Sequence, residues 1–442
     1  MNILLLSGGS GTRLWPLSNE VRSKQFIKIF RNGDCFESML QRMYREIKAI
    51  YPDARITVAS SENQVPAILS QLGAADISVE PCRRDTFPAI ALACAYLAHN
   101  GAEEDEPVIV CPVDPYVEKD YFETFSVLRD AVLTDRANLV LLGIEPDYPS
   151  EKYGYIIPKT TDAVAEVLQF KEKPDTALAK EYISRGALWN GGVFAFRLKY
   201  VLDRAFELLG SKKYEDLFSR YADLTKISFD YAVVEKEAQI SVCRFHGKWK
   251  DLGTWDTLTE AMESETIGNA VLAECENVHV VNELSIPVVA LGLKDAAVAA
   301  SPDGILVTDK SAGERLKKVV SGIHSRPMYE ERSWGSYKVL DYLIHDDSKN
   351  SLTKHIVITP GSHISYQYHR HRTEMWTVIE GSGVVIIDGE IRKISRGDTV
   401  RIDPGVRHAV KADTEVHIVE VQLGDELTEE DIFRLDFDWS KI

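Results

Sequence analysis

Short apolar runs alternate with longer stretches of helical periodicity over about the first 145 residues. The apolar runs lie at residues 3–6, 55–60, 77–80, 108–113 and 139–144. Such alternation is typical of βαβ units around a largely parallel sheet. One intervening helix is predicted at 88–99, with a proline at its start. Because ligands of such sheets lie beyond the carboxyl ends of the strands, the residues that follow each run are candidate functional positions.

The pattern changes twice further along the chain. Short β-rich runs at 278–281, 288–291 and 304–308 are followed by a predicted helix near 312–320, and no internal repeat stands out. From about residue 332 the predicted elements are evenly spaced short strands, at 351–358, 375–379, 383–387, 398–402 and 416–421. Even spacing of this kind predicts a jelly-roll barrel of the cupin type. We therefore predict a Rossmann-like α/β domain with a mixed, mainly parallel sheet over 1–265, a β-rich connector over 266–325 and an all-β cupin over 326–442.

Composition narrows the range of functions. The chain has 442 residues, 45% apolar and 27% charged, which is typical of a globular protein of two or three domains. Its net charge of −17 argues against nucleic acid or an anionic membrane as the main partner. No run of about twenty apolar residues and no signal-peptide pattern is present, so we expect a cytoplasmic protein. Six cysteines without C-x-x-C spacing predict free, mostly buried thiols.

A glycine-rich loop follows the first apolar run. Residues 6–18 read LSGGSGTRLWPLS, and residues 24–26 read KQF. Gly8, Gly9 and Gly11 allow backbone amides to approach a polyphosphate closely, and Arg13 and Lys24 supply cations. An ordinary tight turn is the alternative for a glycine cluster alone, and the spacing is neither that of a Walker loop nor that of a dinucleotide fingerprint.

Two aspartates each follow an apolar strand. Asp114 ends the run 108–113, and Asp251 lies in the segment WKDLGTWD. Two carboxylates are suitable ligands for Mg²⁺ shared with triphosphate oxygens, although strand-end aspartates are more often turn caps.

These segments resemble the sugar-nucleotide pyrophosphorylases, specifically the bacterial mannose-1-phosphate guanylyltransferases that are fused to a type II mannose-6-phosphate isomerase-like cupin. The resemblance implies conversion of GTP and α-D-mannose 1-phosphate to GDP-mannose and diphosphate with Mg²⁺. It implies catalytic roles for Arg13, Lys24, Asp114 and Asp251, of which the two aspartates are the metal ligands. The nucleotide-binding residues that it implies are Leu6, Gly8, Gly9, Gly11, Thr12, Arg13, Lys24, Glu80, Arg84 and Thr86.

Four later segments are similar to the sugar-binding side of the same family. They are KYGYI at 152–156, FKEKP at 170–174, WNGGVF at 189–194 and SFDYAVVEK at 228–236. The resemblance implies that Gly154, Glu172, Lys173 and Asn190 bind the sugar phosphate. Taken alone, an adjacent glutamate and lysine would normally be a solvated surface. Asp230 and Glu235 in the last segment remain open, since a helix cap and a surface charge explain them equally well.

A histidine-rich segment, QYHRHRTEMW at 367–376, marks the predicted barrel. If it is one strand, Gln367, His369 and His371 project to the same face. Histidine nitrogens and a carboxylate suit a divalent metal. The resemblance to type II isomerases implies Gln367, His369, Glu374 and His408 as ligands of Zn²⁺ or another divalent metal, with His371 as an alternative.

The implied second reaction interconverts mannose 6-phosphate and fructose 6-phosphate. Arg372, Lys354 and Arg407 are candidates for binding the phosphate, and Glu420 is a candidate for the general base. The last residues lack the family ending Y-G-R. Three alternatives stay open: a different nucleotide base, a different hexose, and a cupin that is a non-catalytic binding or dimerisation module. A homodimer is expected.

Overall fold

The computed structural model describes residues 1–9, 12–19, 21–134, 137–323, 326–344 and 349–439, so Gly11 of the predicted loop lies outside it. The strands up to residue 251 are β1 (Asn2–Leu6), β2 (Lys28–Asn32), β3 (Cys35–Ser38), β4 (Arg55–Ser61), β5 (Asp76–Glu80), β6 (Pro107–Pro112), β7 (Pro115–Val117), β8 (Leu139–Ile144), β9 (Tyr155–Pro158), β10 (Val164–Lys171), β11 (Leu188–Arg197), β12 (Ile240–Phe245) and β13 (Trp249–Asp251). The helices are α1 (Met39–Ile50), α2 (Val65–Leu72), α3 (Thr86–His99), α4 (Lys119–Leu133), α5 (Thr176–Ser184), α6 (Leu198–Leu209), α7 (Tyr214–Ser219), α8 (Phe229–Ala232) and α9 (Trp255–Ala261).

Within the described residues, nine of these strands form a central sheet in the order β5-β4-β1-β6-β11-β8-β12-β10-β9. Strands β5, β4, β1 and β6 are parallel neighbours, and β8 is parallel to β12. Strands β9, β10 and β11 pair antiparallel with their neighbours. The predicted mixed sheet is therefore confirmed, and the predicted strands agree with the observed ones to within one or two residues.

The central sheet is buried on both faces. Alternate side chains of β1 point to opposite sides, so that Ile3 and Leu5 pack in one core and Leu4 in the other. The first core takes side chains from α1, α2, α4 and α5, and the second from α3, α6, α7 and α8. Since both faces are covered, the exposed carboxyl edge of the parallel strands is what the sheet leaves open to a ligand.

A second pairing brings two distant aspartates together at that edge. Strand β7 begins directly after Asp114 and pairs antiparallel with β13. In this register Asp251 lies opposite Pro115, next to Asp114. The sequence marked both strand ends as functional but did not predict this pairing.

The connector contains β14 (Thr266–Ile267), β15 (Ala270–Ala273), β16 (His279–Asn282), β17 (Val288–Leu291), β18 (Ala296–Ser301), β19 (Gly304–Asp309) and α10 (Gly313–Val320). Strand β15 is parallel to β17 and β16 to β18, each with an offset of 18 residues, for example Ala270 opposite Val288. Asn277 and Asp295 occupy equivalent turns and both have positive φ, 54° and 48°. Asparagine and aspartate tolerate that conformation. The expectation of no internal repeat was therefore wrong, because the repeat is one of backbone register and turn chemistry rather than of identical residues.

The connector packs directly on the segment that follows the glycine loop. Leu14, Leu17 and Ile27 share a buried core with connector residues of β16 and β18. The Ser301 hydroxyl donates to the Pro16 carbonyl at 2.7 Å. The segment that follows the glycine loop is thus held in place by the connector.

The C-terminal strands are β20 (Tyr329–Arg332), β21 (Gly335–Leu343), β22 (Asn350–Ile358), β23 (His363–Tyr368), β24 (Arg372–Glu380), β25 (Ser382–Ile387), β26 (Glu390–Ser395), β27 (Thr399–Ile402), β28 (His408–Ala412), β29 (Val416–Gly424) and β30 (Phe433–Arg434). They form two facing sheets, β20-β21-β22-β29-β24-β27 and β26-β25-β28-β23-β30. Apolar side chains from both sheets, including the buried Trp376, form the core between them. The predicted jelly-roll barrel is confirmed.

Short 3₁₀ helices lie at Thr12–Leu14, Lys24–Phe26, Glu62–Gln64, Tyr221–Asp223, Val234–Lys236, Lys310–Ala312 and Glu429–Asp431. None of the helices in the described part of the chain is long and apolar enough to cross a bilayer. All six cysteines are free thiols, but only Cys94, Cys111 and Cys243 are fully buried and Cys35 is exposed. The prediction of free thiols is confirmed, and that of burial holds for half of them.

Candidate active sites

Lys24 lies between the two aspartates at the carboxyl edge of the central sheet. Its Nζ is 2.8 Å from Asp114 Oδ2 and 3.6 Å from Asp251 Oδ1. Burial alone would lower the pKa of the Lys24 amine, but the two carboxylates outweigh burial and raise it. Burial would raise the pKa of Asp114, and Lys24 reverses this and lowers it. Lys24 and Asp114 are therefore both charged near neutral pH, and two carboxyl side chains lie beside each other where a further cation could bind.

The glycine loop is tied to buried polar side chains. The Gly9 carbonyl, at a φ of 136°, accepts from Gln64 Nε2 at 3.3 Å and from Arg83 Nη2 at 3.4 Å. Gln25, the neighbour of Lys24, donates to the Ser7 hydroxyl at 2.7 Å. Leu6 ends β1, and Gly8 and Gly9 are exposed directly after it. The described residues Ser7 and Gly9 are thus held by these contacts, while Gly8 and Gly9 stay accessible.

Three of the predicted nucleotide-binding residues form hydrogen bonds with the segment 221–229. Tyr221 donates its hydroxyl to the buried Glu80 carboxylate at 2.7 Å, and Arg84 Nε donates to the Tyr221 carbonyl at 3.4 Å. The Thr86 hydroxyl accepts from the Phe229 amide at 2.8 Å. Burial raises the pKa of Glu80, partly offset by the Tyr221 hydroxyl. Glu80, Arg84 and Thr86 therefore connect the nucleotide side to the segment that leads to Asp230.

The sugar-side residues form one group around Gly154. The Gly154 carbonyl accepts from the Asn190 amide at 2.8 Å, and Asn190 Nδ2 donates to Asp230 Oδ1 at 2.7 Å. Glu172 Oε2 is buried and has no hydrogen-bond partner among the described residues. A Cβ at Gly154 would lie only 2.5 Å from that oxygen. The glycine therefore leaves space beside an unpartnered carboxylate oxygen, which is suited to accept from a ligand hydroxyl.

Two charged residues complete this group. Lys173 Nζ forms an ion pair with Glu172 Oε1. Burial, together with the charge on Glu172, raises the pKa of Asp230 to about 6. Asp230 thus belongs to the polar group, and its alternative interpretation as a helix cap is not needed, since Ser228 caps α8.

One cavity of about 480 Å³ is lined by residues from both the nucleotide side and the sugar side. It is lined by the predicted Arg13, Lys173 and Asp251, and also by Lys152 and Glu314. Glu314, on connector helix α10, forms an ion pair with Lys152. Sequence reasoning missed Glu314 because its place in the cavity results only from packing of the connector on the first domain.

A second polar group lies inside the jelly-roll barrel. One ligand atom each from His369, Glu374 and His408 lies within 4.8 Å of the others, and all three residues are buried. Glu374 Oε2 and His408 Nε2 have no hydrogen-bond partner among the described residues and are 3.6 Å apart. Glu374 Oε1 accepts instead from Arg372 Nε at 2.9 Å and from Gln422 Nε2 at 3.2 Å.

Both histidines have their tautomer set by the backbone. His369 Nδ1 is 2.8 Å from the Asp431 carbonyl, and His408 Nδ1 is 3.0 Å from the Val406 carbonyl. A carbonyl only accepts, so each Nδ1 carries a hydrogen and each Nε2 faces Glu374. Burial lowers the pKa of His408. Two imidazoles oriented by backbone carbonyls, with a carboxylate between them, are the donor set of a divalent metal site.

The other residues predicted around this metal differ in position. Gln367 is buried beside His408 in the strand register, and its Oε1 accepts from Ser365 at 2.8 Å. The placement of His371 on the same face was wrong. Strand β23 ends at Tyr368 and β24 begins at Arg372, so the chain turns between them and His371 is exposed near Asp425.

A cavity of about 330 Å³ opens beside the histidine group. Its cationic lining residues are Arg332, Lys354, Arg372 and Arg434, and Glu420 also lines it. Arg407, a third candidate for the phosphate, does not line this cavity; it is exposed, and its backbone amide donates to Asp388 Oδ1 at 3.0 Å. Burial and the charge on Glu374 raise the pKa of Glu420 to about 7.

Two regions of the chain, one containing each candidate site, match known protein families. Residues 2–267 match the nucleotidyl transferase family, and residues 322–437 match the family of mannose-6-phosphate isomerase C-terminal domains. The chain belongs to the nucleotidyl transferase family. The xanthan biosynthesis protein XanB of Xanthomonas campestris is 33% identical, with 98% of this chain and 97% of that protein covered. The mannose-1-phosphate guanylyltransferase ManC of Salmonella typhimurium is 31% identical, with 99% and 98% covered.

A solved structure also resembles this nucleotidyl transferase family member. The crystal structure of a protein named mannose-1-phosphate geranyltransferase, from Thermus thermophilus, superposes with a TM-score of 0.64. It is 29% identical, and the match covers 73% of this chain and 99% of that one.

Proposed function

We propose that the chain is a mannose-1-phosphate guanylyltransferase, which converts GTP and α-D-mannose 1-phosphate to GDP-mannose and diphosphate. The observation that carries the proposal is a cavity lined by Arg13, Asp251 and Lys173, and Lys173 in turn forms an ion pair with Glu172. A phosphate nucleophile and a nucleoside triphosphate have to meet in one such space for in-line transfer. The choice of guanine and mannose follows from the names of the full-length relatives.

The proposed nucleotide side consists of the glycine loop with Arg13 and Lys24. The loop amides and the two cations neutralise the triphosphate and the departing diphosphate, which is where negative charge has to be stabilised. Lys24 is held at the carboxylates of Asp114 and Asp251 in the absence of nucleotide. Glu80, Arg84 and Thr86 are proposed to shape this side through the contacts that they make with Tyr221 and Phe229.

Asp114 and Asp251 are the proposed Mg²⁺ ligands. Their carboxylates both contact Lys24 and are partly exposed, and Asp251 lines the cavity. Carboxylates are hard oxygen donors, which is the chemistry that Mg²⁺ requires. When bound, Mg²⁺ would supply charge neutralisation and orientation of the triphosphate. Lys24 balances the two carboxylates electrostatically and is proposed to turn toward the phosphates.

The sugar side is proposed to orient the nucleophile. Glu172 Oε2 accepts from a sugar hydroxyl, and Asn190 keeps one amide hydrogen and one lone pair for the same purpose, since each of its groups makes one internal hydrogen bond. Lys173 is proposed to bind the sugar phosphate. Fixing the phosphate oxygen in line with the α-phosphorus contributes by orientation, because the step needs no covalent intermediate with the protein.

Diphosphate release tests this proposal directly. Each of the four nucleoside triphosphates is combined with mannose 1-phosphate or glucose 1-phosphate, with Mg²⁺ and after chelation. We expect release only with GTP, mannose 1-phosphate and Mg²⁺, and a loss of at least about 100-fold in kcat for Lys24→Ala and Asp251→Ala. Lys119→Ala, an exposed lysine on α4, is the matched control. Preference for another pair would keep the reaction class and overturn the named substrates.

The buried histidine group favours a second function for the barrel, interconversion of mannose 6-phosphate and fructose 6-phosphate. His369, Glu374 and His408 are the proposed metal ligands, with Gln367 as a fourth, and a divalent metal such as Zn²⁺ would supply polarisation of the sugar oxygens. Glu420 is proposed to move the proton between adjacent carbons. Arg332, Lys354 and Arg434 are proposed to bind the phosphate.

Isomerisation of mannose 6-phosphate in the full chain tests the second function. We expect activity that His369→Ala and His408→Ala remove while guanylyl transfer is retained. Metal binding without turnover for any divalent metal would favour the alternative of a binding or dimerisation module. Light scattering of His369→Ala would then report a changed oligomeric state. Domain limits of 1–265, 266–325 and 326–442, a homodimer and cytoplasmic residence remain part of the proposal.

A further inference from the structure

The segment that carries Lys24 is held by residues more than 250 positions further along the chain. On its N-terminal side, Arg22 donates from Nη1 and Nη2 to the two carboxylate oxygens of Glu283, at 2.8 and 2.9 Å. The Arg22 side chain is 11% exposed and its guanidinium also lies 5.3 Å from the centre of the Tyr329 ring. A bidentate arginine–carboxylate pair fixes orientation as well as distance.

A neighbouring contact reinforces the Arg22–Glu283 pair. Asn19 Nδ2 donates to Asp303 Oδ2 at 2.9 Å, while Asp303 Oδ1 accepts from the Met328 amide at 2.7 Å. Asn19 Oδ1 in turn accepts from the Arg22 amide at 2.6 Å. The turn that precedes Lys24 is therefore anchored to both the connector and the start of the barrel.

The C-terminal side of Lys24 is anchored through one glutamine. Gln71 Nε2 donates to the Phe26 carbonyl at 3.0 Å and to Glu331 Oε2 at 2.8 Å. Glu331 is 7% exposed and also lies 3.2 Å from Lys28 Nζ. Phe26 ends the 3₁₀ turn that begins at Lys24, so Glu331 reaches the same turn from the barrel side.

The turn itself makes few local contacts. Gln25 donates to the Ser7 hydroxyl at 2.7 Å and Phe26 is buried in the first core, but the turn is only three residues long and Ser23 at its N-cap makes no capping hydrogen bond. A single 3₁₀ turn is not stable by itself. The position of Lys24 relative to Asp114 and Asp251 therefore depends on what holds the residues on either side.

We propose that Glu283 and Glu331 are positioning residues for Lys24. Glu283 acts through Arg22, and Glu331 acts through Gln71 and Lys28. The connector and the barrel are thus part of the machinery of nucleotidyl transfer, and the first domain with its signature loop does not complete the site alone. The inference rests on the role proposed above for Lys24.

Amine labelling tests the position of Lys24 without requiring turnover. The full chain, without nucleotide, is treated with an N-hydroxysuccinimide ester, and labelling of the peptide that contains Lys24 is quantified by mass spectrometry. The wild-type amine contacts two carboxylates and its side chain is 16% exposed, so it labels slowly. We expect Glu283→Gln and Glu331→Gln to raise its labelling rate several-fold. Glu276→Gln, at an exposed connector glutamate paired with Lys294, is the matched control and leaves the rate unchanged.

Steady-state kinetics provide the second measurement. We expect kcat of Glu283→Gln to fall at least about tenfold, because small misplacement of a charge-stabilising group is costly, while KM for mannose 1-phosphate stays unchanged. Glu283→Asp should recover part of the loss, and the exchange Arg22→Glu with Glu283→Arg should restore more activity than either change alone. A merely structural pair would lower the melting temperature without this split between kcat and KM.

The two proposals fail in different ways. Wild-type protein without guanylyl transfer would overturn the proposed function, and the labelling rates would still decide the positioning of Lys24. Unchanged labelling and unchanged kcat in both glutamine variants would overturn the positioning role, whatever the substrates are. Faster labelling at Lys24 alone, with other lysines unchanged, would support it.

Discussion

Gly154→Ala probes the space beside Glu172 with one added methyl group. The new Cβ would lie 2.5 Å from Glu172 Oε2, 2.9 Å from the Phe170 ring and 3.3 Å from Asn190 Cβ. Ordinary van der Waals contact begins at 3.4 Å, so the buried Glu172 carboxylate has to move by about 0.9 Å to make room for the methyl group. Overpacking of this kind costs about 1–3 kcal/mol.

The kinetic effect follows from the same geometry. Displacement of a substrate-orienting group by about 1 Å can cost roughly 100-fold in rate, and about 1.36 kcal/mol corresponds to tenfold. We therefore expect kcat/KM for mannose 1-phosphate to fall between about tenfold and 100-fold, while KM for GTP is unchanged. The assay is diphosphate release at saturating GTP with mannose 1-phosphate varied. Thermal unfolding of the same samples shows whether the variant is folded.

A matched substitution at a glycine outside the site serves as the control for Gly154→Ala. Gly322→Ala adds the same methyl group in open space, with nothing within 4 Å, and should leave both kcat/KM and the melting temperature unchanged. If Gly154→Ala retained wild-type kcat/KM for mannose 1-phosphate, the space beside Glu172 would not be the sugar site.

Three further outcomes are expected. Asp230 titrates near 3.8 when unfolded and near 6 when folded, so the wild type loses stability as the pH rises through that interval. The melting temperature of Asp230→Asn, relative to wild type in scanning calorimetry, should rise from about pH 4 to about pH 6 and then stay constant; a pH-independent difference would contradict the raised pKa. His408→Ala should lower the divalent metal content measured by mass spectrometry at least about tenfold without changing guanylyl transfer, and equal metal content would exclude His408 as a ligand. Gly268→Ala would place a Cβ 1.9 Å from the Asn282 carbonyl oxygen and should destabilise the connector by about 1–3 kcal/mol in denaturant unfolding, whereas wild-type stability would mean that the turn is free to shift.

Features that depend on local pattern could be predicted from the sequence. The alternating apolar runs predicted five of the nine strands of the central sheet, β1, β4, β5, β6 and β8. The carboxyl-edge rule placed the glycine loop, Glu80 and Asp114 at one edge. The jelly roll followed from the spacing of short strands. In each case the signal lies within a few residues, where period and turn chemistry are decisive.

Features that depend on tertiary packing could not be predicted. Asp114 and Asp251 meet through the pairing of β7 with β13, which carries no local signal. Glu314 enters the cavity on a connector helix, and His371 is turned away by a break between two strands that the alternating pattern hid. The parallel register of the connector was missed because only backbone geometry repeats.

Helix α2 shows why the two candidate sites are best regarded as parts of one structure. Gln64, directly before the helix, donates to the Gly9 carbonyl of the nucleotide loop. Pro66, in its first turn, lines the cavity of the barrel. Gln71, in its last turn, contacts both Phe26 and Glu331. One short helix therefore contacts the loop, the lysine turn and the second cavity. Since packed elements transmit displacements rather than absorb them, a shift of β20 would reach the turn that carries Lys24.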